Sequence, residues 1–280
     1  MYKNQVVRKR FGQNFLTDPT ILDQIIEKSE ITEKDFILEI GPGHGALTEK
    51  LFEKAHEITA VEIDRDLVAE LEEKFKDNDR IKIVSNDILK FSFDELDLTN
   101  YPLENRRAIG NIPYYITTPI IMKFIDEKSI KTHGISQTKQ VFSELIIMMQ
   151  KEVGQRIVAK PGTKEYGALS VICQYACHVK TLVNVDRKSF YPVPKVDSIV
   201  ISLKMKTEDE YNIKEQKILW QIVHGVFTSR RKTLRNSLKI AGFNEELVTK
   251  VSTEFDLTTR GETLNLESFA NLANIISYNS

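Results

Sequence analysis

Short apolar runs alternate with amphipathic stretches through most of this chain. Phe36-Ile37-Leu38-Glu39-Ile40 and Ile58-Thr59-Ala60-Val61-Glu62 are apolar enough for central parallel strands. Between them Leu47, Leu51 and Phe52 recur at helical spacing, and Leu67, Val68, Leu71 and Phe75 do so after them. Further strands are expected at Ile81–Val84, Arg107–Gly110, Phe142–Met149, Val179–Val185 and Ser198–Leu203, with helices over 118–126, 151–158 and 168–177. Asp18-Pro19 reads as an N-cap followed by a first-turn proline, ahead of Ile21, Leu22, Ile25 and Ile26; Thr118-Pro119 repeats that signature. The βαβα alternation predicts an α/β domain built on a mostly parallel, doubly wound sheet.

The pattern changes at Lys206-Thr207-Glu208-Asp209-Glu210, where the chain turns polar and acidic. Beyond it Ile218, Ile222, Val223, Phe227, Leu234 and Leu238 keep helical spacing, and no strand is convincing. Two domains are expected, 1–205 and a smaller all-helical 206–280. Before the first helix, Lys9-Arg10-Phe11-Gly12-Gln13-Asn14-Phe15-Leu16 mixes cations, amides and two phenylalanines, so it is expected to pack on something.

Composition narrows the class. No apolar run approaches the roughly 20 residues a bilayer span needs. The N-terminus is basic and polar without an apolar h-region, so no secretory signal is expected and a cytoplasmic location is. The chain has two cysteines, Cys173 and Cys177, spaced for one helix face and read as small buried residues; no metal site is expected. Net charge is only −1, which argues against a general polyanion binder. The charge is uneven, however. Arg8, Lys9 and Arg10 open the chain, and Arg230, Arg231, Lys232, Arg235 and Lys239 fall in a stretch with no acid, patches compatible with a directed nucleic-acid face and, taken singly, equally with solvated surface.

Candidate chemistry gathers at strand ends. Gly41-Pro42-Gly43-His44-Gly45 joins strand to helix and lets backbone approach a cofactor. Glu62 ends the next strand about 20 residues on, where an acid meets ribose hydroxyls. Gly41, Gly43 and Ala46 also satisfy the dinucleotide pattern, so this segment alone leaves a nicotinamide cofactor open. Asp87 can accept from a cofactor's adenine amino group, although in isolation an Asx-turn is the favoured reading. Asn111-Ile112-Pro113-Tyr114 leaves the fourth strand. An Asn111 side-chain carbonyl and an Ile112 backbone carbonyl suit the two N–H groups of an adenine N6, a poor nucleophile that needs alignment. Pro113 fixes the backbone and offers no donor, and Tyr114 can stack on a base. Four residues alone also fit an ordinary strand-to-helix turn.

Further on, Phe190-Tyr191-Pro192-Val193-Pro194 is a stiff extended segment able to hold Phe190 or Tyr191 against a flat ligand. With Gly12-Gln13-Asn14-Phe15-Leu16, Glu39-Ile40-Gly41-Pro42-Gly43, Glu62 with Asp64, Asn86-Asp87, Asn111-Ile112-Pro113-Tyr114, Gln150-Lys151-Glu152-Val153, Pro194-Lys195-Val196-Asp197-Ser198 and Arg230-Arg231-Lys232-Thr233-Leu234-Arg235 in this order, nearly the whole chain resembles the KsgA-type small-subunit (16S) ribosomal RNA adenine N6,N6-dimethyltransferases, relatives of the erythromycin-resistance (Erm) enzymes. The resemblance implies a Rossmann-like class I methyltransferase domain, S-adenosylmethionine as cofactor, and dimethylation of two adjacent adenosines in the 3′-terminal hairpin of small-subunit rRNA. The substrate context would be the pre-30S subunit; the composition leaves no membrane partner expected, and a monomer is expected because RNA contact would be distributed over both domains. The resemblance puts Asn14 and Leu16 at the cofactor, Gly41 beneath its methionine part, Glu62 on the ribose and Asp87 on the adenine. Asn111 falls near both cofactor and target amine, and Phe190 stacks on the flipped base opposite Tyr114. Ile112 replaces a common Leu, and Tyr115 stands where Asn is common. Arg8–Arg10 and Arg230–Arg235 would meet RNA phosphates. The rival readings are an Erm-like large-subunit methyltransferase, a non-catalytic RNA-binding assembly factor on the same fold, and a nicotinamide oxidoreductase, which leaves Asn111 to Tyr114 without a use.

Overall fold

The computed structural model describes residues 14–126, 135 and 140–280. They form two compact units. The first comprises the described part of 1–124 with 140–154 and 179–205; the second comprises the described part of 125–139 with 155–178 and 206–280. The break at Met205–Lys206 falls where the composition turns polar. The segment 155–178, expected with the sheet, instead groups with the C-terminal helices. Two fully buried tyrosines explain this: Tyr166 Oη donates to the Leu264 carbonyl at 3.0 Å, and Tyr175 Oη to Gln216 Oε1 at 2.9 Å.

In the first unit, strands β1 (Phe15–Leu16), β2 (Phe36–Ile40), β3 (Glu57–Glu62), β4 (Ile81–Ser85) and β5 (Arg106–Asn111) alternate with helices α1 (Pro19–Ser29), α2 (Ala46–Phe52), α3 (Arg65–Phe75) and α4 (Thr117–Phe124). Strand β6 (Glu144–Gln150), helix α5 (Lys151–Ile157), helix α6 (Ala168–Ala176) and strands β7 (Cys177–Val185), β8 (Phe190–Tyr191) and β9 (Ser198–Met205) follow along the chain, α6 belonging to the second unit. The seven-stranded sheet runs β4-β3-β2-β5-β6-β9-β7. Pairs β3/β4, β2/β3, β2/β5 and β5/β6 are parallel, while β9 runs antiparallel to β6. From β2 the chain builds outward to β4, then returns to lay β5 on β2's other side. The crevice where the order reverses, at the carboxyl ends of β2 and β5, is where an open α/β sheet takes its ligand. Register there is tight. Ile40 pairs with Gly110, and a Cβ on Gly110 would lie 2.6 Å from the Ile40 carbonyl, so only glycine lets β5 lie this close.

Local signals explain most boundaries. Asp18 caps α1 by accepting from the Thr20 amide at 3.0 Å, and Pro19 fills the first helical position, where no N–H is needed. At α4 the cap differs from expectation. A tight turn over Tyr114–Ile116 runs directly into the helix, which opens at Thr117, so Thr118 lies within the first turn. The described end of the segment before α1 packs as a strand: β1 pairs antiparallel with β8, Phe15 opposite Tyr191 and Leu16 opposite Phe190. The cysteines do not share a helix face, because the helix ends at Ala176. Cys173 lies in α6 and Cys177 opens β7, both buried.

In the second unit, residues 206–280 fold into helices α7 (Gln216–Thr228), α8 (Leu234–Ile240), α9 (Glu245–Val251) and α10 (Leu266–Asn279). Among their described residues, extended pairing is limited to an isolated bridge between Thr233 and Arg260. Leu219, Ile222, Val226, Leu234, Leu238 and Phe269 are buried there. No helix among the described residues is long and apolar enough to cross a membrane.

Candidate active site

One cavity opens at the carboxyl ends of β2, β3 and β5, and it gathers residues spread over nearly two-thirds of the chain. Asn14, Leu16, Gly41, Glu62, Asp87 and the whole of Asn111 to Tyr114 line it. Phe190 does not. Its side chain is 3% exposed and belongs to the apolar cluster containing Leu16, its partner across β1/β8. A ring already covered there meets an incoming base only if this segment shifts.

The glycine turn sets the floor. Gly43 has φ +60°, a region L-residues avoid, and a Cβ there would lie 3.0 Å from the Phe15 ring. Its amide donates to Glu62 Oε2 at 3.2 Å, while Glu62 Oε1 accepts from the Ile63 and Asp64 amides at 2.8 and 3.0 Å. Burial raises the Glu62 pKa and these amides oppose the rise. A carboxylate offers about four lone-pair sites, so three amides leave one for the cavity. Asp87 Oδ1 accepts from the Leu89 amide at 2.9 Å as an Asx-turn does, and the residue also lines the cavity.

Asn111 ends β5. Its Nδ2 donates to the Asn14 carbonyl at 3.2 Å, which fixes the amide's orientation and leaves Oδ1 as the acceptor end. Asn14 is itself held by the β1/β8 pair, by the Thr17 amide bonding to the Ser189 carbonyl at 2.9 Å, and by Ser189 Oγ donating to Asp18 Oδ2 at 3.0 Å. Pro113 has φ −57°. Tyr114 Oη lies 2.9 Å from Ser198 Oγ, and burial of the phenol raises its pKa, so it stays neutral.

Three contributors were missed from sequence. Glu39 lines the cavity and is buried; burial pushes its carboxyl up to about 8, with Thr48 partly opposing, and Oε2 has no hydrogen-bond partner among the described residues. The signal was present: an acid inside the continuous apolar run of a fully covered strand. His44 has its ring 4.5 Å from Phe15 and its Nδ1 2.9 Å from Glu70 Oε1, closing one wall. Ser198 is fully buried behind Tyr114.

The basic residues separate into distinct groups. Arg8, Lys9 and Arg10 lie outside the described residues. Arg230 Nε donates to Glu262 Oε2 at 2.9 Å, and its NH groups reach the Lys164 and Thr163 carbonyls at 2.8 and 3.3 Å. Arg235 donates to Glu245 Oε1 at 2.6 Å and to Thr249, and Lys239 also pairs with Glu245. Arg231 and Lys232 are exposed and make no such bond among the described residues.

An acid on β3 bonded to a glycine turn after β2, with an Asn-Ile-Pro-Tyr edge across the switch point, defines a Rossmann-like methyltransferase domain. The comparisons agree. A dimethyladenosine transferase from Plasmodium falciparum superposes with a TM-score of 0.77 at 26% identity, covering 95% of this chain and 98% of that one. The 23S rRNA methyltransferase ErmE shares the fold, with a TM-score of 0.68 at 24% identity over 94% of this chain and 100% of its own. The chain is 42% identical over 273 residues to the ribosomal RNA small subunit methyltransferase A of Clostridium botulinum (strain Kyoto / Type A2), covering 96% of this chain and 93% of the relative. It is 38% identical over 271 residues to that of Caldanaerobacter subterraneus subsp. tengcongensis, covering 96% and 97%. The family model for ribosomal RNA adenine dimethylase matches residues 4–278. This chain belongs to that family, and its cofactor is S-adenosylmethionine.

The residues fit that cofactor. The positive-φ glycine turn leaves backbone open beneath the cavity, and the three acids in its lining suit hydroxyl, amino and sulfonium groups.

Proposed function

We propose that this protein dimethylates the N6 amino groups of two adjacent adenosines in the 3′-terminal hairpin of small-subunit (16S) rRNA, acting on the pre-30S subunit as a cytoplasmic monomer. The observation that carries the reading is the Asn111 amide, clamped by the Asn14 carbonyl with Oδ1 free to accept, at the edge of a cavity that also holds Glu62 and Asp87. The relatives named for small-subunit rRNA direct the choice of substrate.

When bound, the cofactor supplies a methyl group activated on a positively charged sulfur with a neutral leaving group. The protein is therefore asked for alignment more than for a strong base. Glu62 accepts from the ribose through its remaining lone pair, and Asp87 Oδ2 accepts from the cofactor's adenine amino group. Asn111 Oδ1 and the Ile112 carbonyl each accept one N–H of the target N6 and turn its lone pair toward the methyl group. After transfer the substituted amino group sheds its proton to water; the neutral Tyr114 phenol is no base for it. Tyr114 serves as a flat wall, its ring held in place by Ser198. The target must leave its stack to enter, and each new methyl group replaces one N–H, so a second transfer proceeds with one acceptor bond fewer. Phosphate contacts fall to Arg231 and Lys232, and to Arg8, Lys9 and Arg10. Arg230 and Arg235 chiefly hold the helical unit together. That unit, centred on 206–280, is the RNA-recognition part of this proposal.

Transfer of tritiated methyl groups to small subunits lacking the modification, with large subunits in parallel, tests the reading. Label recovered as N6,N6-dimethyladenosine from the small subunit only is expected. Label in the large subunit alone would give the chain an Erm-type activity, and cofactor binding without any transfer would leave an assembly factor.

A further inference from the structure

Two consecutive tyrosines follow Pro113, and their environments differ. Tyr114 is half-buried and hydrogen-bonded to Ser198. Tyr115 is 68% exposed, though it lines the same cavity. Its ring stacks on no other ring and its hydroxyl bonds to nothing among the described residues. Ile63 and Leu89, also in the lining, are exposed as well, at 47% and 37%, so this rim is apolar. Among the described residues, the lining holds Glu39, Glu62 and Asp87 but no lysine or arginine. An apolar rim of this kind suits an uncharged face of the RNA rather than its phosphates. A nucleobase presents one, and an aromatic ring is its natural platform.

We propose that Tyr115 is the stacking platform for the nucleotide flanking the target adenosine, and so a specificity-determining residue of this enzyme. The inference rests on the reading that the substrate is a pair of adjacent adenosines. The two rings occupy different places, Tyr114 held by Ser198 and Tyr115 exposed at the mouth, so each can meet a different base. The tight turn over Tyr114–Ile116 holds the two rings at successive positions, one against the cavity wall and one at its mouth. While one adenosine lies against Tyr114, its neighbour covers Tyr115. When the pair shifts by one nucleotide, the finished base takes the outer place. A dimethylated adenine has lost both N6 hydrogens but keeps its π-face, so stacking holds it where hydrogen bonding would not.

The test uses the full chain, undermodified small subunits, and small subunits in which the neighbouring adenosine is replaced by uridine. Stacking on an aromatic side chain is worth roughly 5- to 150-fold per base, and less for a pyrimidine. Tyr115→Ala should raise KM for the normal subunit by at least about 5-fold on that scale, while Tyr115→Phe and Tyr115→Trp keep it near the wild-type value. On uridine-substituted subunits the wild-type KM should rise toward that of Tyr115→Ala, and the variant should be nearly indifferent to the change. Wild-type KM in Tyr115→Ala, or equal damage from Tyr115→Phe and Tyr115→Ala, would overturn the proposal while leaving the functional reading intact. Absence of methyl transfer by the wild-type protein would overturn both.

Discussion

Replacing Arg230 by Ala separates a structural cation from an RNA-binding one. The guanidinium donates to Glu262 at 2.9 Å and to the Lys164 and Thr163 carbonyls at 2.8 and 3.3 Å, which joins the 160–164 loop to the turn before α10. Charge-assisted hydrogen bonds contribute roughly 1.5–3 kcal/mol each when well shielded. The Arg230 side chain is 36% exposed, so solvent screening reduces this; a loss of about 2 kcal/mol for the set is reasonable. The chain's one tryptophan, Trp220, lies in α7 of the same unit, with its ring 5.6 Å from Tyr175, so its fluorescence reports unfolding of that unit. With a urea slope of about 2 kcal/mol/M, the midpoint should fall by about 1 M. Arg231→Ala and Lys232→Ala remove exposed side chains without partners among the described residues and should leave the midpoint within about 0.25 M, since surface changes of this kind stay within about 0.5 kcal/mol. They should instead weaken RNA binding and flatten its salt dependence by about one counterion each. An unchanged midpoint in Arg230→Ala, or equal loss in Arg231→Ala, would refute this division.

Three further outcomes follow from the first unit. Gly43→Ala forces a Cβ at φ +60° to within 3.0 Å of the Phe15 ring, so cofactor affinity should fall roughly 10-fold or more by calorimetry, from strain on the order of 1–3 kcal/mol; wild-type affinity would show the turn to be tolerant. Glu39, raised to about 8 by burial, binds a proton in the folded cofactor-free protein that the unfolded chain has released. Its contribution is therefore fully present below the ordinary carboxylate range near 4.5 and is lost as pH rises toward 8, by an amount on the order of a few kcal/mol. Glu39→Gln should flatten that decline in urea unfolding followed by circular dichroism, and an identical slope would argue against it. Tyr114→Phe and Ser198→Ala each break the same 2.9 Å bond, so their effects on kcat should be non-additive, with a coupling of roughly 0.5–1.5 kcal/mol.

Much of the sheet was legible because it obeys simple patterns. Phe36–Ile40 is the expected strand residue for residue, and Asp18-Pro19 starts a helix as its chemistry requires. That Gly41, Glu62, Asp87 and Asn111 line one cavity was also legible, since each ends a strand or lies in the loop after it and the parallel sheet brings those ends together, whereas Asn14 and Leu16 arrive from the separate β1 segment. Long-range pairings of two residues were not. β1 and β8 have no periodicity to reveal them, and their register decides that Phe190 faces the core beside Leu16. The surroundings of the charge clusters were not legible for a related reason. Arg230 and Arg235 stand in an acid-free stretch, yet their partners Glu262 and Glu245 arrive from later elements of the same unit. The burial of Ser198 behind Tyr114 depends likewise on the antiparallel placement of β9 beside β6.

The central claim is that Asn111, oriented by the Asn14 carbonyl, aligns the target amine rather than merely lining the cofactor cavity. Asn111→Ala is the direct measurement, with methyl transfer to undermodified small subunits and cofactor affinity determined on the same preparation. The expected result is a transfer rate lower by about 100-fold or more, the scale of losing a preorganised polar contact at the reacting atom, with cofactor affinity reduced by less than about 10-fold, since one neutral hydrogen bond contributes roughly 0.5–1.5 kcal/mol. Transfer at the wild-type rate, or a loss explained wholly by failure to bind the cofactor, would contradict it.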